Sequence, residues 1–118
     1  MNSVPDAIQK IEWIGPDKRT ALLHATGDID LHRSAGFQQA LLDVAELRPK
    51  RIVLDLSGVG YMDSSGVASL VKLLARARRD EVDLRLSGLT SRVRSVFEIT
   101  RLDTVFEIYT DLEEALQS

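Results

Sequence analysis

The sequence predicts an α/β domain built on a mixed, mostly parallel sheet of five strands with about four helices. The chain has 118 residues, the usual size of one domain. The apolar run 52–56 (Ile-Val-Leu-Asp-Leu) is typical of a strand covered on both faces. Segments with helical periodicity separate the later strands, and strands joined in this way form parallel sheets through right-handed crossovers. We therefore expect the order β-β-α-β-α-β-α-β-α in a single domain over residues 1–118.

The first half of the chain predicts a hairpin, a helix and the central strand. Apolar residues within 8–14 and 21–25 flank a Gly-Pro-Asp turn, which indicates an antiparallel pair at one edge of the sheet. The following helix ends before Pro49, which cannot continue it. Its predicted buried face, at three- and four-residue spacing, comprises Phe37, Leu41, Val44 and Leu47 or Arg48.

The second half begins with an amphipathic helix over residues 64–79. Its predicted apolar face comprises Val67, Leu70, Val71, Leu74 and Ala77. Lys72, Arg76 and Arg79 share another side, which is either an ordinary solvated face or a docking surface for an acidic partner. The remaining predicted elements are a strand over 82–86, a short helix after Thr90 and Ser91, a strand over 105–108, and a terminal helix with a capping box at Thr110 and Glu113.

Composition excludes several classes of function. With 15 Lys+Arg, 18 Asp+Glu and a net charge of -3, nucleic acid is not expected as the main partner. The absence of cysteine and the presence of only two histidines leave no metal site or redox centre to expect, and no motif calls for a cofactor. No apolar stretch approaches the ~20 residues that span a bilayer, so we expect a cytoplasmic protein without membrane insertion.

The most informative stretch is residues 61–66, Tyr-Met-Asp-Ser-Ser-Gly, between the central strand and the basic-faced helix. Sites in parallel α/β sheets gather at such strand-to-helix corners, where free N–H groups of helix N-termini attract anions. Ser64 and Ser65 lie at this end of the helix. The alternative is that these residues only shape the corner, since Asp63 and the serines are common N-caps and Gly66 eases a tight turn.

Known catalytic motifs do not fit this stretch. Gly66 follows Ser64 by two positions, but Met62 stands where the nucleophile elbow of a hydrolase needs a glycine. The pair Gly60 and Gly66 lacks the Lys-Ser/Thr that completes a phosphate-binding P-loop. An enzyme with Ser64 as nucleophile and an aspartate as base is therefore only a minor alternative, and no catalytic residue is predicted.

The histidines and Asp55 suggest no other chemistry. His24 lies in a predicted strand, where a structural histidine with satisfied hydrogen bonds is expected, and His32 has no second ligand or base partner in the sequence. Asp55 would be the phosphate acceptor in a receiver domain. The chain lacks the acidic pair after the first strand and the lysine after the last strand that such a domain needs.

Other residues are expected to lie beside the serines. Asp28 and Asp30 follow the second strand, and their loop reaches the Ser64 corner if that strand neighbours the central one; the alternative is a solvated acidic turn. Tyr61 and Met62 would contribute to a partner-binding patch if exposed, or would pack in the loop or core if not.

In four places, in order along the chain, the sequence resembles the anti-sigma factor antagonists, the single STAS domains of bacterial partner-switching systems. Residues 27–30 (Gly-Asp-Ile-Asp) are similar to the Gly-Glu-Leu-Asp that ends the family's second strand, and residues 52–56 to its central strand. Residues 61–66 resemble the family's most specific motif. Residues 96–102 resemble its late helix and turn.

This resemblance implies a function. The first serine after the motif aspartate is phosphorylated in the family by an anti-sigma factor that is also an ATP-dependent serine kinase, which would place the phosphoryl group on Ser64. The unphosphorylated antagonist binds the anti-sigma factor, and the phosphorylated form releases it until a phosphoserine phosphatase resets it. The chain would be a substrate and regulator of transcription, not an enzyme. The expected partner or kinase contacts are Asp28, Asp30, Tyr61, Met62, Asp63, Ser65, Gly66, Lys72 and Arg76.

The sequence departs from the family pattern in two places. Val67 stands where leucine usually follows the motif glycine, and Arg101 stands where glycine usually precedes the leucine, here Leu102. The same fold also occurs as a STAS subunit bound to the ATPase of a lipid or solute transporter. In that alternative function Ser64 need not be phosphorylated.

Overall fold

The fold, taken from a computed structural model that describes residues 7–117, is a five-stranded sheet with helices on both faces. The strand order is β1-β2-β3-β4-β5; β1 and β2 are antiparallel and all later neighbours are parallel. The elements are β1 (Ile8–Ile14), β2 (Thr20–Thr26), α1 (Leu31–Glu46), β3 (Arg51–Gly58), α2 (Ser64–Arg79), β4 (Asp83–Ser87), α3 (Ser91–Ile99), a 3₁₀ turn (Leu102–Thr104), β5 (Glu107–Tyr109) and α4 (Leu112–Leu116). The predicted order and the central position of the 52–56 run are confirmed.

Alternation along the strands divides the core between the two sheet faces. Ile52, Leu54 and Leu56 of β3 point toward α1, α2 and α3, whereas Val53 points toward α4. The larger core is formed with Phe37, Leu41, Leu70, Leu73, Val93 and Phe97. β3 is therefore covered on both faces, which explains why four of the five residues 52–56 are apolar.

Helix α4 is held on its face by a buried cation. Arg85 of β4 is only 9% exposed, and its guanidinium donates hydrogen bonds to the carbonyl oxygens of Ala115 and Gln117. Asp83 and Glu107 lie beside the same guanidinium. These contacts satisfy the cation and anchor the last helix beside the small core of Leu22 and Val53.

The predicted buried faces of α1 and α2 need correction. Leu47, predicted to extend the apolar face of α1, is 66% exposed because the helix ends at Glu46. In α2, Val71 is exposed and Leu73 is fully buried. Ser69 Oγ donates to the Ser34 carbonyl of α1 at 3.4 Å. Helix α2 therefore buries two of its sides: the side that carries Ser69 and Leu73 packs against α1, and another packs against the sheet.

Two element ends also differ from the prediction. Asp111, not Thr110, caps α4, because the Asp111 carboxylate accepts the Glu114 N–H. The last strand begins at Glu107 rather than at residue 105, after the 3₁₀ turn.

Arg101, where the family usually has glycine, has φ 63°, a left-handed conformation that glycine adopts at lower cost. Among residues 7–117, no helix is both long and apolar enough to cross a bilayer.

Candidate functional site

The Ser64 corner is assembled from two loops at the carboxyl ends of β2 and β3. Ile29 and Met62 pair in an isolated parallel bridge. The Ile29 N–H donates to the Tyr61 carbonyl at 2.9 Å, and the Asp63 N–H donates to the Ile29 carbonyl at 3.1 Å. The loop after β2 therefore lies directly beside the motif, as predicted for the case in which β2 neighbours β3.

Asp63 joins the N-termini of two helices. Its Oδ1 caps α2 by accepting the Ser65 and Gly66 N–H groups at 2.9 and 3.3 Å, and its Oδ2 accepts the Leu31 N–H of α1 at 3.1 Å. The Ser65 hydroxyl and these backbone amides stabilise the carboxylate against partial burial and lower the pKa of Asp63. Asp63 is therefore ionised at neutral pH and has a structural role at this corner.

Asp30 has the same role at the start of α1. Its Oδ1 accepts the N–H groups of His32 and Arg33 at 3.0 and 3.2 Å. Asp28, two residues earlier, is exposed, and its backbone carbonyl accepts a hydrogen bond from the Arg33 guanidinium at 2.7 Å. Asp28 thus presents its side chain to solvent beside the corner, while Asp30 shapes the loop.

The two serines of the motif differ in accessibility and bonding. Ser64, the first residue of α2, is exposed, and its hydroxyl makes no hydrogen bond within residues 7–117. Ser65 is half-buried, and its Oγ donates to Asp63 Oδ1 at 2.5 Å. The corner therefore offers the Ser64 hydroxyl to a partner and holds the Ser65 hydroxyl against the protein.

Met62 and Gly66 form the interior of the corner, which corrects the expectation that they contact a partner. Met62 is 1% exposed. A Cβ on Gly66 would lie 2.6 Å from Met62 Cγ and 2.9 Å from Ile29 Cγ2. Met62 is buried because its strand bridge to Ile29 turns it inward, and Gly66 is needed because α2 begins in direct contact with this bridge.

Exposed apolar and cationic side chains form a rim beside the motif that carries Ser64. Tyr61 is 39% exposed, and the Arg92 guanidinium lies 5.5 Å from its ring centroid. Leu31, at the first turn of α1, is 77% exposed although its N–H is bonded to Asp63. Neither Leu31 nor Arg92 was predicted from the sequence. The detectable signal for Leu31 was an apolar residue directly after the capping Asp30, where polar residues are usual.

The basic side of α2 is less available than its sequence suggests. The Arg76 guanidinium, predicted to face a partner, is paired with Glu46 of α1 at 2.6 Å and with Asp80 at 3.0 Å, and these hydrogen bonds raise the pKa of Arg76. Arg79 also contacts Asp80. Lys72 is exposed and has no ion pair within the described part of the chain.

A polar cluster occupies the opposite face of the sheet and accounts for His24. Its Nδ1 lies 2.9 Å from Asp55 Oδ2 and its Nε2 lies 2.8 Å from Glu12 Oε2. Burial acts to raise the pKa of Asp55, but hydrogen bonds from Ser57 and His24 outweigh burial, and the pKa is lowered. The His24 hydrogen bond also lowers the pKa of Glu12. His24 is thus the satisfied structural histidine that was expected, and Asp55 is not the free acceptor of a receiver domain.

These features define a class of small α/β domains that present an exposed serine at a capped strand-to-helix corner. The family model for the STAS domain matches residues 16–115, and the chain belongs to the STAS domain family. An anti-sigma-B factor antagonist of Listeria monocytogenes is 32% identical over 87 residues, which cover 73% of this chain and 75% of that relative.

Solved structures agree with the family. An anti-sigma factor antagonist from Mycobacterium paratuberculosis has a TM-score of 0.77 at 26% identity, covering 98% of this chain and 96% of the other. SpoIIAA of Bacillus in its phosphorylated form has a TM-score of 0.68 at 19% identity, covering 91% and 95% of the two chains. The predicted family and fold class are confirmed.

Proposed function

We propose that this protein is an anti-sigma factor antagonist that works by phosphorylation-gated partner exchange. In its unphosphorylated form it binds an anti-sigma factor that is also a serine kinase, and phosphorylation of Ser64 releases that partner. A phosphoserine phosphatase resets the protein, which acts in the cytoplasm as a regulator and not as an enzyme. The names of its relatives support this role. The observation that carries the proposal is the exposed, unbonded Ser64 hydroxyl at the start of α2.

Phosphorylation acts here through charge at the surface. The amides of the first turn of α2 are already bonded to Asp63, except for the Ser64 N–H, which has no acceptor within residues 7–117. A phosphoryl group on Ser64 would add about -1.5 to -2 charge at the surface of this corner, beside the carboxylates of Asp63 and Asp28. Like-charge repulsion and steric blocking then prevent partner contact with the surrounding rim while the fold is retained.

The rim supplies a contact surface of mixed chemistry. Leu31 and Tyr61 give apolar area, and Arg92 gives a cation beside the Tyr61 ring. Arg and Tyr are enriched at the centres of protein interfaces because they combine apolar area with directed polar contacts. We place the anti-sigma factor on this rim, with Ser64 inside its contact area and Lys72 at its edge.

The test is phosphate mapping with the purified full chain. The protein is incubated with ATP, Mg²⁺ and each candidate anti-sigma factor kinase from the same genome, and phosphate is located by fragmentation mass spectrometry. The proposal predicts phosphate on Ser64, its loss in Ser64→Ala, and its retention in Thr110→Ala, which removes an exposed hydroxyl near α4. Absence of phosphate with every candidate, together with stable capture of a transporter ATPase, would instead support the structural-subunit function.

A further inference from the structure

We infer that Asp63 is a positioning residue that directs phosphorylation to Ser64 and withholds it from Ser65. This inference rests on the proposed function and assigns a regulatory task to a carboxylate that, by local sequence, is a helix cap. Two adjacent serines in one turn are chemically alike as substrates for a kinase. The structure distinguishes them by exposure, since Ser64 is exposed and Ser65 is half-buried, and by a hydrogen bond from Ser65 Oγ to Asp63 Oδ1 at 2.5 Å.

The Ser65 hydroxyl is held in place by a carboxylate that cannot itself move away. Asp63 Oδ1 also accepts the Ser65 and Gly66 N–H groups, Oδ2 is bonded to the Leu31 N–H of α1, and the Asp63 N–H is bonded to the Ile29 carbonyl. Turning the Asp63 side chain would break the caps of two helices. The rotamer of Ser65 that points into the corner is therefore the stable one, whereas Ser64 has no such bond.

Asp63 restrains Ser65 and does not activate it. A carboxylate beside a hydroxyl can serve as a general base when its affinity for the proton is raised. Here the hydrogen bonds from Ser65 and from the helix amides lower the pKa of Asp63, which makes it a poorer base. The contact keeps the Ser65 proton on oxygen and directs Oγ toward the interior of the corner.

The chemistry of transfer explains why this restraint selects the acceptor. A serine oxygen attacks the γ-phosphorus of ATP in line with the bond to the leaving ADP; the new O–P bond forms, that bond breaks, and the hydroxyl proton passes to the kinase's base. Ser64 Oγ can take this position directly. Ser65 Oγ must first give up a charge-assisted hydrogen bond, which corresponds to about a 10- to 100-fold preference for Ser64.

The test measures the ratio of phosphate on Ser65 to phosphate on Ser64, using the kinase identified for the wild type. Asp63→Asn and Asp63→Ser keep a cap acceptor on α2 but leave the Ser65 hydroxyl, at most, a weaker neutral acceptor in place of the carboxylate. Asp111→Asn is the matched control, because it removes the carboxylate that caps α4 by accepting the Glu114 N–H, away from the two serines. We expect the ratio to rise at least tenfold in the Asp63 variants and to stay at the wild-type value in Asp111→Asn.

A second measurement leaves Asp63 intact and covers the case in which its variants do not fold. Ser64→Ala keeps Ser65 and its hydrogen bond to Asp63, and we expect it to take up no more than a few per cent of the wild-type phosphate. The double variant Ser64→Ala/Asp63→Asn is expected to accept phosphate on Ser65. Rapid modification of Ser65 in Ser64→Ala, or an unchanged ratio in folded Asp63 variants, overturns the inference alone. A wild type that accepts no phosphate overturns the proposed function and the inference with it.

Discussion

Replacing Gly66 with alanine tests whether the motif glycine is a packing residue or a partner contact. The added Cβ would lie 2.6 Å from Met62 Cγ, 2.9 Å from Ile29 Cγ2 and 3.1 Å from the Ile29 carbonyl oxygen. Met62 and Ile29 are 1% and 0% exposed, so neither can move into solvent. Overpacking of this kind costs about 2–3 kcal/mol, from which the better helix propensity of alanine returns up to ~1 kcal/mol. The expected net loss is about 1–2 kcal/mol.

Gly36→Ala is the matched control within the same fold. A Cβ on Gly36 would meet no atom of residues 7–117 within 4 Å, and the residue lies exposed in the middle of α1. Alanine there should stabilise by about 0.5–1 kcal/mol. In thermal unfolding followed by circular dichroism, Gly66→Ala should lower Tm by about 4–8 °C and Gly36→Ala should raise it by a few degrees. A Gly66→Ala protein with an unchanged or higher Tm would refute the packing argument.

Three further predictions follow from single contacts. Met62→Ala should cost about 2–5 kcal/mol in urea unfolding, because the side chain is 1% exposed; a loss below 1 kcal/mol would mean that Met62 is not packed as described. Arg101→Gly should raise stability by up to about 1 kcal/mol, because φ is 63°, and the same urea assay would contradict the strain argument if it showed a clear loss. The lowered pKa values of Asp55 and Glu12 stabilise the fold above about pH 4, and this contribution is lost as pH falls through those pKa values. His24→Gln should therefore flatten the decline in unfolding free energy as the pH falls below about 4, and a decline identical to that of the wild type would argue against the His24 cluster.

Hydrophobic periodicity and turn residues in the sequence predicted most of the secondary structure elements and their order. The mostly apolar run 52–56 predicted the central, doubly covered position of β3, and the Gly-Pro-Asp turn predicted the antiparallel edge pair. Local pattern could not assign Val71 and Leu73 correctly, because both are apolar and only the tertiary contact between α2 and α1 decides which is buried. The cap of α4 was misassigned for a similar reason, since Thr110 and Asp111 are adjacent and both suit an N-cap.

The sequence predicted where in the fold the candidate site lies, but not how its side chains are arranged. The Asp-Ser-Ser-Gly stretch indicated the corner, and the expected proximity of the loop after β2 is confirmed by the bridge between Ile29 and Met62. The same bridge buries Met62, which no periodicity in so short a loop could show. Arg76 was expected to be free because its partner Glu46 is thirty residues away in sequence, a separation at which charge patterns predict no pairing.

The most direct test of the account compares partner affinity and structure in a charge-carrying variant. Binding of the anti-sigma factor is measured by calorimetry for wild type, Ser64→Asp and the control Thr110→Asp, and backbone amide NMR spectra are recorded for each. We expect at least a tenfold loss of affinity in Ser64→Asp only, with spectral changes confined to residues around 28–31, 61–66 and 92. Wild-type affinity in Ser64→Asp, or a loss accompanied by spectral changes across the whole sheet, would contradict a switch that works by surface charge on an unchanged fold.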